Sequence, residues 1–180
     1  MDLVLKWLTI RFFDTNPAVL SRSLDYLLNV FKGLAELSYN MVDIEAQAFV
    51  PYLLLKIGEP KDNVRANVHQ IIRSIVNVYS PQKIFAFLME GLRSKNARQR
   101  AECVDELGYL ISTLGMSICQ PSPSGALKEI AKQISDRDNS VRNAALNAVV
   151  QAYFIEGEKV YKMIGQVQFH RIFHLFLLYL

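Results

Sequence analysis

An all-α fold, an α-solenoid of stacked helical hairpins, is what this sequence predicts, and three observations predict it. Apolar residues recur at i, i+3, i+4 spacing along most of the chain, the mark of helices with one buried face. Four such stretches break at a short polar turn and restart: Asp14-Thr15-Asn16-Pro17-Ala18-Val19, Lys61-Asp62-Asn63-Val64-Arg65, Ser94-Lys95-Asn96-Ala97-Arg98-Gln99-Arg100 and Asp136-Arg137-Asp138-Asn139-Ser140-Val141-Arg142. Anchored on Val19, Val64, Gln99 and Val141, the turns recur at steps of 45, 35 and 42 residues, the period of repeated helical hairpins. A repeat of this kind sets equivalent turns in a row along one edge, which makes a binding surface rather than an active site.

The elements follow in order. Leu3 to Phe13 has helical period, and Asn16-Pro17 suits a restart, with Asn as N-cap and Pro at the first helical position. The partner helix runs from about Pro17 to Ala35 on a stripe of Leu24, Leu27, Leu28 and Phe31. A second hairpin begins near Asp43, with Ile44, Phe49, Tyr52, Leu53, Leu54 and Ile57 as its apolar positions; Gly58-Glu59-Pro60 stops it. Its second helix, about Asp62 to Tyr79, is β-branched-rich, but the 3,4 spacing of Val64, Val68, Ile71, Ile72 and Ile75 argues helix. Ser80-Pro81 opens a third hairpin, carried by Ile84, Phe85 and Leu88 and then by Val104, Leu107, Leu110 and Ile111. Gly115 to Gly125 reads as an irregular linker between repeats. A fourth hairpin uses Leu127, Ile130 and Ile134, then Val141, Ala144, Ala145 and Ala148, whose small side chains allow close packing. Glu158 to Ile164 starts one more helix. The division expected is a hairpin array over 1–165 and a divergent apolar, aromatic tail over 166–180.

Composition agrees with a folded, helical chain. Of 180 residues, 51% are hydrophobic and 21% charged, with only 8 Gly and 6 Pro. The net charge of +3 is too small to argue for nucleic acid. Its placement says more, because Lys61, Arg65, Arg93, Lys95, Arg98, Arg100, Arg137 and Arg142 all lie in or beside three of the turns. Two readings stand: a solvated rim of the kind helical proteins have, or a cationic edge that steers an acidic partner. Cys103 reads as core and Cys119 as a loop residue; with no CxxC or Cys/His cluster, neither zinc nor a disulfide framework is supported, and a reducing compartment is expected. The start lacks a basic leader and a cleavage site, and the uncharged part of the apolar end is shorter than the roughly 20 residues of a spanning helix, so no membrane association is expected.

No catalytic signature is present: GxxxxGK[ST], GxGxxG, HExxH and GxSxG are all missing. His170 and His174, four apart, could share a helical face but have no further ligands nearby, and His69 sits in a periodic helix. Asp105-Glu106 reads as a solvated helix face, and Asp136/Asp138 as residues favoured at a helix start. Most aromatics, among them Phe31, Phe49, Phe85, Tyr109 and Trp7, are expected in the core rather than on a base-stacking platform. No cofactor and no enzymatic activity are expected.

Laid side by side, the turns resemble a HEAT-repeat array of the TOG type, as in the ch-TOG/Msps family of microtubule polymerases. Three stretches carry the match: Val50-Pro51-Tyr52-Leu53-Leu54-Leu55-Lys56-Ile57-Gly58-Glu59-Pro60-Lys61-Asp62; Ala126-Leu127-Lys128-Glu129-Ile130-Ala131 through to Asp136-Arg137-Asp138-Asn139-Ser140-Val141-Arg142-Asn143-Ala144-Ala145-Leu146-Asn147; and Ser94-Lys95-Asn96-Ala97-Arg98-Gln99-Arg100-Ala101-Glu102-Cys103. They look most like the fourth TOG domain of such an array, over roughly Leu3 to Gly165.

The resemblance implies a module that binds αβ-tubulin or the microtubule lattice through its intra-repeat turns and helps regulate microtubule growth. It places Thr15, Asn16 and Pro17 towards β-tubulin, then Lys61 and Asp62, with Lys95, Asn96, Arg98, Arg137, Asn139 and Arg142 towards α-tubulin. For Arg142 a second role stays open: pairing with Asp136 or Asp138 to fix its own turn. The family pattern has six repeats and an exposed aromatic in the first turn, so the comparison implies that this chain starts at the second repeat. A monomeric module of a larger multi-TOG chain is expected, in the cytoplasm on the cytoskeleton, at microtubule plus ends and the centrosome or spindle pole. A general HEAT scaffold for some other protein partner is the alternative.

Overall fold

The computed structural model describes residues 1–165; the apolar tail, with His170 and His174, lies outside them. Nine α-helices follow one another without a strand among the described residues: α1 (Asp2–Arg11), α2 (Pro17–Glu36), α3 (Asp43–Lys56), α4 (Asp62–Ile75), α5 (Pro81–Gly91), α6 (Ala97–Leu114), α7 (Pro123–Lys132), α8 (Asn139–Glu156) and α9 (Lys159–Ile164). The expected all-α array of hairpins is therefore what forms. The chain divides into two compact units, Met1–Phe87 and the part from Leu88 onward.

In the first unit α1 packs on α3 and α2 on α4, while α1–α2 and α3–α4 close the two hairpins. Each element starts and stops where local chemistry allows. Pro17 opens α2 at a position that needs no N–H, behind the Asn16 cap. At the start of α3 the Glu45 carboxylate accepts the Val42 N–H at 3.1 Å and the Tyr39 hydroxyl at 2.9 Å. The core is Leu5, Leu8, Phe12, Leu24, Leu27, Phe31, Phe49, Leu53, Ile71 and Ile72, all almost fully buried. Phe49 sits between Phe12 and Phe31, with ring centroids 6.0 and 5.8 Å away. Each of α1 to α4 contributes one face to this core, which is why the 3,4 spacing was legible.

In the second unit α6 lies along α8, and α7 packs on α8 and α9. Gly108 makes that closeness possible: a Cβ there would stand 3.0 Å from the Ala148 Cα. Ala144, Ala145, Ala148 and Ala152 are all buried on the facing helix, as their size predicts. Gly91 is held in the same way, because a Cβ would meet the Cys103 sulfur at 2.4 Å. Burial pushes the Cys103 thiol up to about 12, and does the same to Cys119. Both behave as small core residues.

Several expectations change. Trp7 is not core: it is 53% exposed, with the Arg11 guanidinium 4.8 Å above its ring. Tyr109, Ile44 and Tyr52 are also exposed, on the outer faces of their helices. Periodicity marks a stripe, but a wide stripe overruns the face that a single neighbour covers. Glu106 is fully buried rather than solvated. The segment 115–125 is less irregular than its Pro and Ser content suggests. Met116–Ile118 forms a 3-10 turn, and Pro123 starts α7 behind the Ser122 cap, whose hydroxyl accepts the Gly125 N–H at 3.1 Å.

Candidate functional site

The four polar turns all fall between the two helices of a hairpin, two in each unit. Three share one construction. The N-cap side chain accepts from the second helical residue: Asn16 from Ala18 N–H at 2.9 Å, Asn96 from Arg98 N–H at 3.0 Å, Asp138 from Ser140 N–H at 2.8 Å. The residue two places earlier accepts the N–H of the cap itself: Asp14 for Asn16, Ser94 for Asn96, Asp136 for Asp138, at 3.0, 3.2 and 2.9 Å. Such side-chain bonds satisfy donors that a helix start leaves open and fix the turn without help from a partner. The Lys61 turn departs from this pattern, since lysine has no acceptor and α4 begins without a side-chain cap.

A second device recurs in three turns. An arginine four residues after the cap folds back and donates to two carbonyls of its own turn. Arg65 reaches Glu59 O and Pro60 O at 2.8 and 2.9 Å, Arg100 reaches Ser94 O and Lys95 O at 2.8 and 3.4 Å, and Arg142 reaches Asp136 O and Arg137 O at 2.8 and 2.9 Å. In the first turn the equivalent position is Leu20. So Arg142 does fix its turn, through carbonyl oxygens rather than through the Asp136 or Asp138 carboxylates. Arg100 adds a bidentate pair to Asp136, Nε to Oδ2 at 3.0 Å and Nη2 to Oδ1 at 2.9 Å, which ties the third turn to the fourth. With the guanidinium beside it, the Asp136 carboxyl is held below the usual carboxylate range.

Arg93 is exposed just before the third turn, and the other seven basic residues of the turns sort into two sets. Arg65, Arg100 and Arg142 turn inward and hold backbone. Lys61, Lys95, Arg98 and Arg137 are exposed and make no ion pair or side-chain hydrogen bond within the described residues. Thr15, Asn16, Pro17, Asp62, Asn96 and Asn139 are exposed as well. Asp62 pairs with Arg65 at the start of α4. Arg65 and Arg100 as turn braces were missed in the sequence, although an arginine at the fourth position after three of the caps is a visible signal.

No group of three metal-ligating side chains gathers among the described residues, and no described helix is long and apolar enough to cross a membrane. Among the described residues the arrangement presents polar turns fixed by their own side-chain bonds and carrying exposed cations outside any ion pair. It is the arrangement of an interaction module built from HEAT-like hairpins.

The comparisons with known proteins agree. Residues 6–172 match the model of the XMAP215/Dis1/CLASP TOG domain. Protein mini spindles of Drosophila melanogaster is 57% identical over 167 residues, 93% of this chain, and the chain spans 8% of that protein's length. A solved structure described as "TOG-tubulin binding specificity promotes microtubule dynamics and mitotic spindle formation" is 58% identical, with a TM-score of 0.86 over 91% of this chain and 65% of its own. The TOG domain of Caenorhabditis elegans Zyg9 is 38% identical, with a TM-score of 0.85 over 97% of this chain and 67% of its own. This chain belongs to the XMAP215/Dis1/CLASP TOG-domain family.

Proposed function

We propose that the chain is a tubulin-binding module whose contact surface is its intra-repeat turns. Lys61, Lys95, Arg98 and Arg137 are the cations that meet the acidic partner; Thr15, Asn16, Pro17, Asp62, Asn96 and Asn139 complete the turn surface. Arg142 belongs to it as the brace that shapes the fourth turn. Two things support this reading: family membership with a relative described by its TOG–tubulin binding specificity, and four exposed turn cations that make no ion pair or side-chain hydrogen bond among the described residues. The second observation carries the site. Exposed cations on turns whose backbone is already fixed steer an acidic surface into contact and set its register.

The module acts by binding rather than by catalysis, and needs no cofactor. It serves the regulation of microtubule growth within a longer, multi-TOG protein, at microtubule ends, spindle and centrosome. Its repeat array spans 1–165, with the tail 166–180 outside it. Weak modules joined on one chain gain affinity through effective concentration. Gel filtration tests the reading: the purified chain should co-elute with αβ-tubulin at low salt, and not with a monomeric protein of similar acidity. Equal association with both would point instead to a general helical scaffold.

A further inference from the structure

Phe12 and Phe13 are neighbours in sequence with opposite fates. Phe12 is 1% exposed and fills the core; Phe13 is 57% exposed at the start of the first turn. The Phe13 ring is nonetheless fixed. It stands edge-on to Tyr52, with centroids 6.4 Å apart and planes at 90°, and the Lys56 ammonium lies 5.2 Å from its centre. Lys56 is held in turn by Glu59 at 2.8 Å. The ring is thus supported from two sides and still open on its outer face.

Close to Lys56 runs a groove of about 250 Å³ between the first and second turns, lined by Asp14, Thr15 and Pro17 on one side and by Lys56, Glu59 and Lys61 on the other. It is smaller than the roughly 300–1,000 Å³ pockets that enclose small ligands, and suits a single side chain of a larger partner. Thr15, Pro17 and Lys61 already belong to the proposed binding turns, so groove and ring continue that surface. Charge narrows the occupant. Asp14 lies 3.6 Å from Arg11 and Glu59 is answered by Lys56, whereas Lys61 makes no ion pair among the described residues.

We infer that Phe13 is an anchor residue of the binding surface, packing against an apolar side chain of an acidic tubulin loop while Lys61 meets that loop's carboxylate. The inference rests on the tubulin-binding reading. An aromatic that is already immobilised gives contact area at little entropic cost, which is the usual character of an interface anchor.

Two experiments on the 180-residue chain test it. Phe13→Ala should weaken affinity for purified αβ-tubulin about tenfold or more, the scale of an interface anchor, with the unfolding midpoint unchanged. A photo-crosslinking p-benzoylphenylalanine in place of Phe13 should yield an adduct with tubulin; placed at Phe154, also exposed, it should not. If Phe13→Ala binds like the parent while Lys61→Glu weakens binding, the anchor role is overturned and the tubulin reading stands. If neither change affects binding, the tubulin reading itself fails. Should Phe13→Ala also lower the midpoint, the crosslink decides: an adduct at 13 upholds the anchor, and its absence overturns it.

Discussion

The Arg100 guanidinium grips the Asp136 carboxylate across 36 residues of chain, with contacts of 3.0 and 2.9 Å, and so couples the third turn to the fourth. Both side chains are mostly buried, at 17% and 13% exposure. Arg100→Ala should therefore cost about 2–3 kcal/mol, the range of a lost charge-assisted hydrogen bond with its partner left behind. A double-mutant cycle with Asp136→Asn, read by urea unfolding, should return a coupling of about 1 kcal/mol or more.

The same pair gives a pH dependence. In the folded chain the Asp136 carboxyl titrates below its ordinary value, chiefly because of the hydrogen bonds from Arg100. Its contribution to stability is then complete above the unfolded carboxylate range and is lost as pH falls through the lowered folded value. Urea midpoints measured between about pH 5 and pH 3 should fall less steeply for Asp136→Asn than for the parent chain.

Two glycines should respond in opposite directions to alanine. Gly108→Ala places a methyl 3.0 Å from the Ala148 backbone and should destabilise by about 1–3 kcal/mol, because α6 and α8 must move apart. Gly33→Ala, inside α2 with nothing within 4 Å of the new methyl, should stabilise by about 0.5–1 kcal/mol. Thermal or urea denaturation separates the two.

Caps and exposed cations should also divide cleanly. Asn96→Ala removes the acceptor for Arg98 N–H and Gln99 N–H and should cost about 1 kcal/mol. Lys61→Ala removes no cap bond and no ion pair, so its stability should stay within about 0.5 kcal/mol of the parent. Unfolding of both variants under one condition checks the contrast.

Much of the fold was legible because hairpin stacking gives each helix one dominant buried stripe. Asn16-Pro17 marked the start of α2 to the residue, since cap and first-turn chemistry is local. What escaped the sequence depends on neighbours. Trp7 and Tyr52 sit on apolar stripes but outside the strip that a packed helix covers. Glu106 looks like a surface residue until α6 is seen with that position inside. Pro121-Ser122-Pro123 read as a linker because Pro and Ser punctuate loops, yet the same two residue types cap and open α7. At the candidate site, the sequence located the turns and their cations. It did not separate the arginines that brace carbonyls from the residues left facing outward, because that depends on which way a long side chain folds.

Charge reversal of the unpaired turn cations tests the central claim most directly. The double variant Lys61→Glu with Lys95→Glu, one change in each compact unit, should keep the parent's helical circular dichroism and unfolding midpoint. Its affinity for αβ-tubulin, measured by fluorescence anisotropy at low salt, should fall at least about tenfold, and the parent's affinity should weaken as salt is raised. A well-folded double variant that binds tubulin as tightly as the parent would contradict the account.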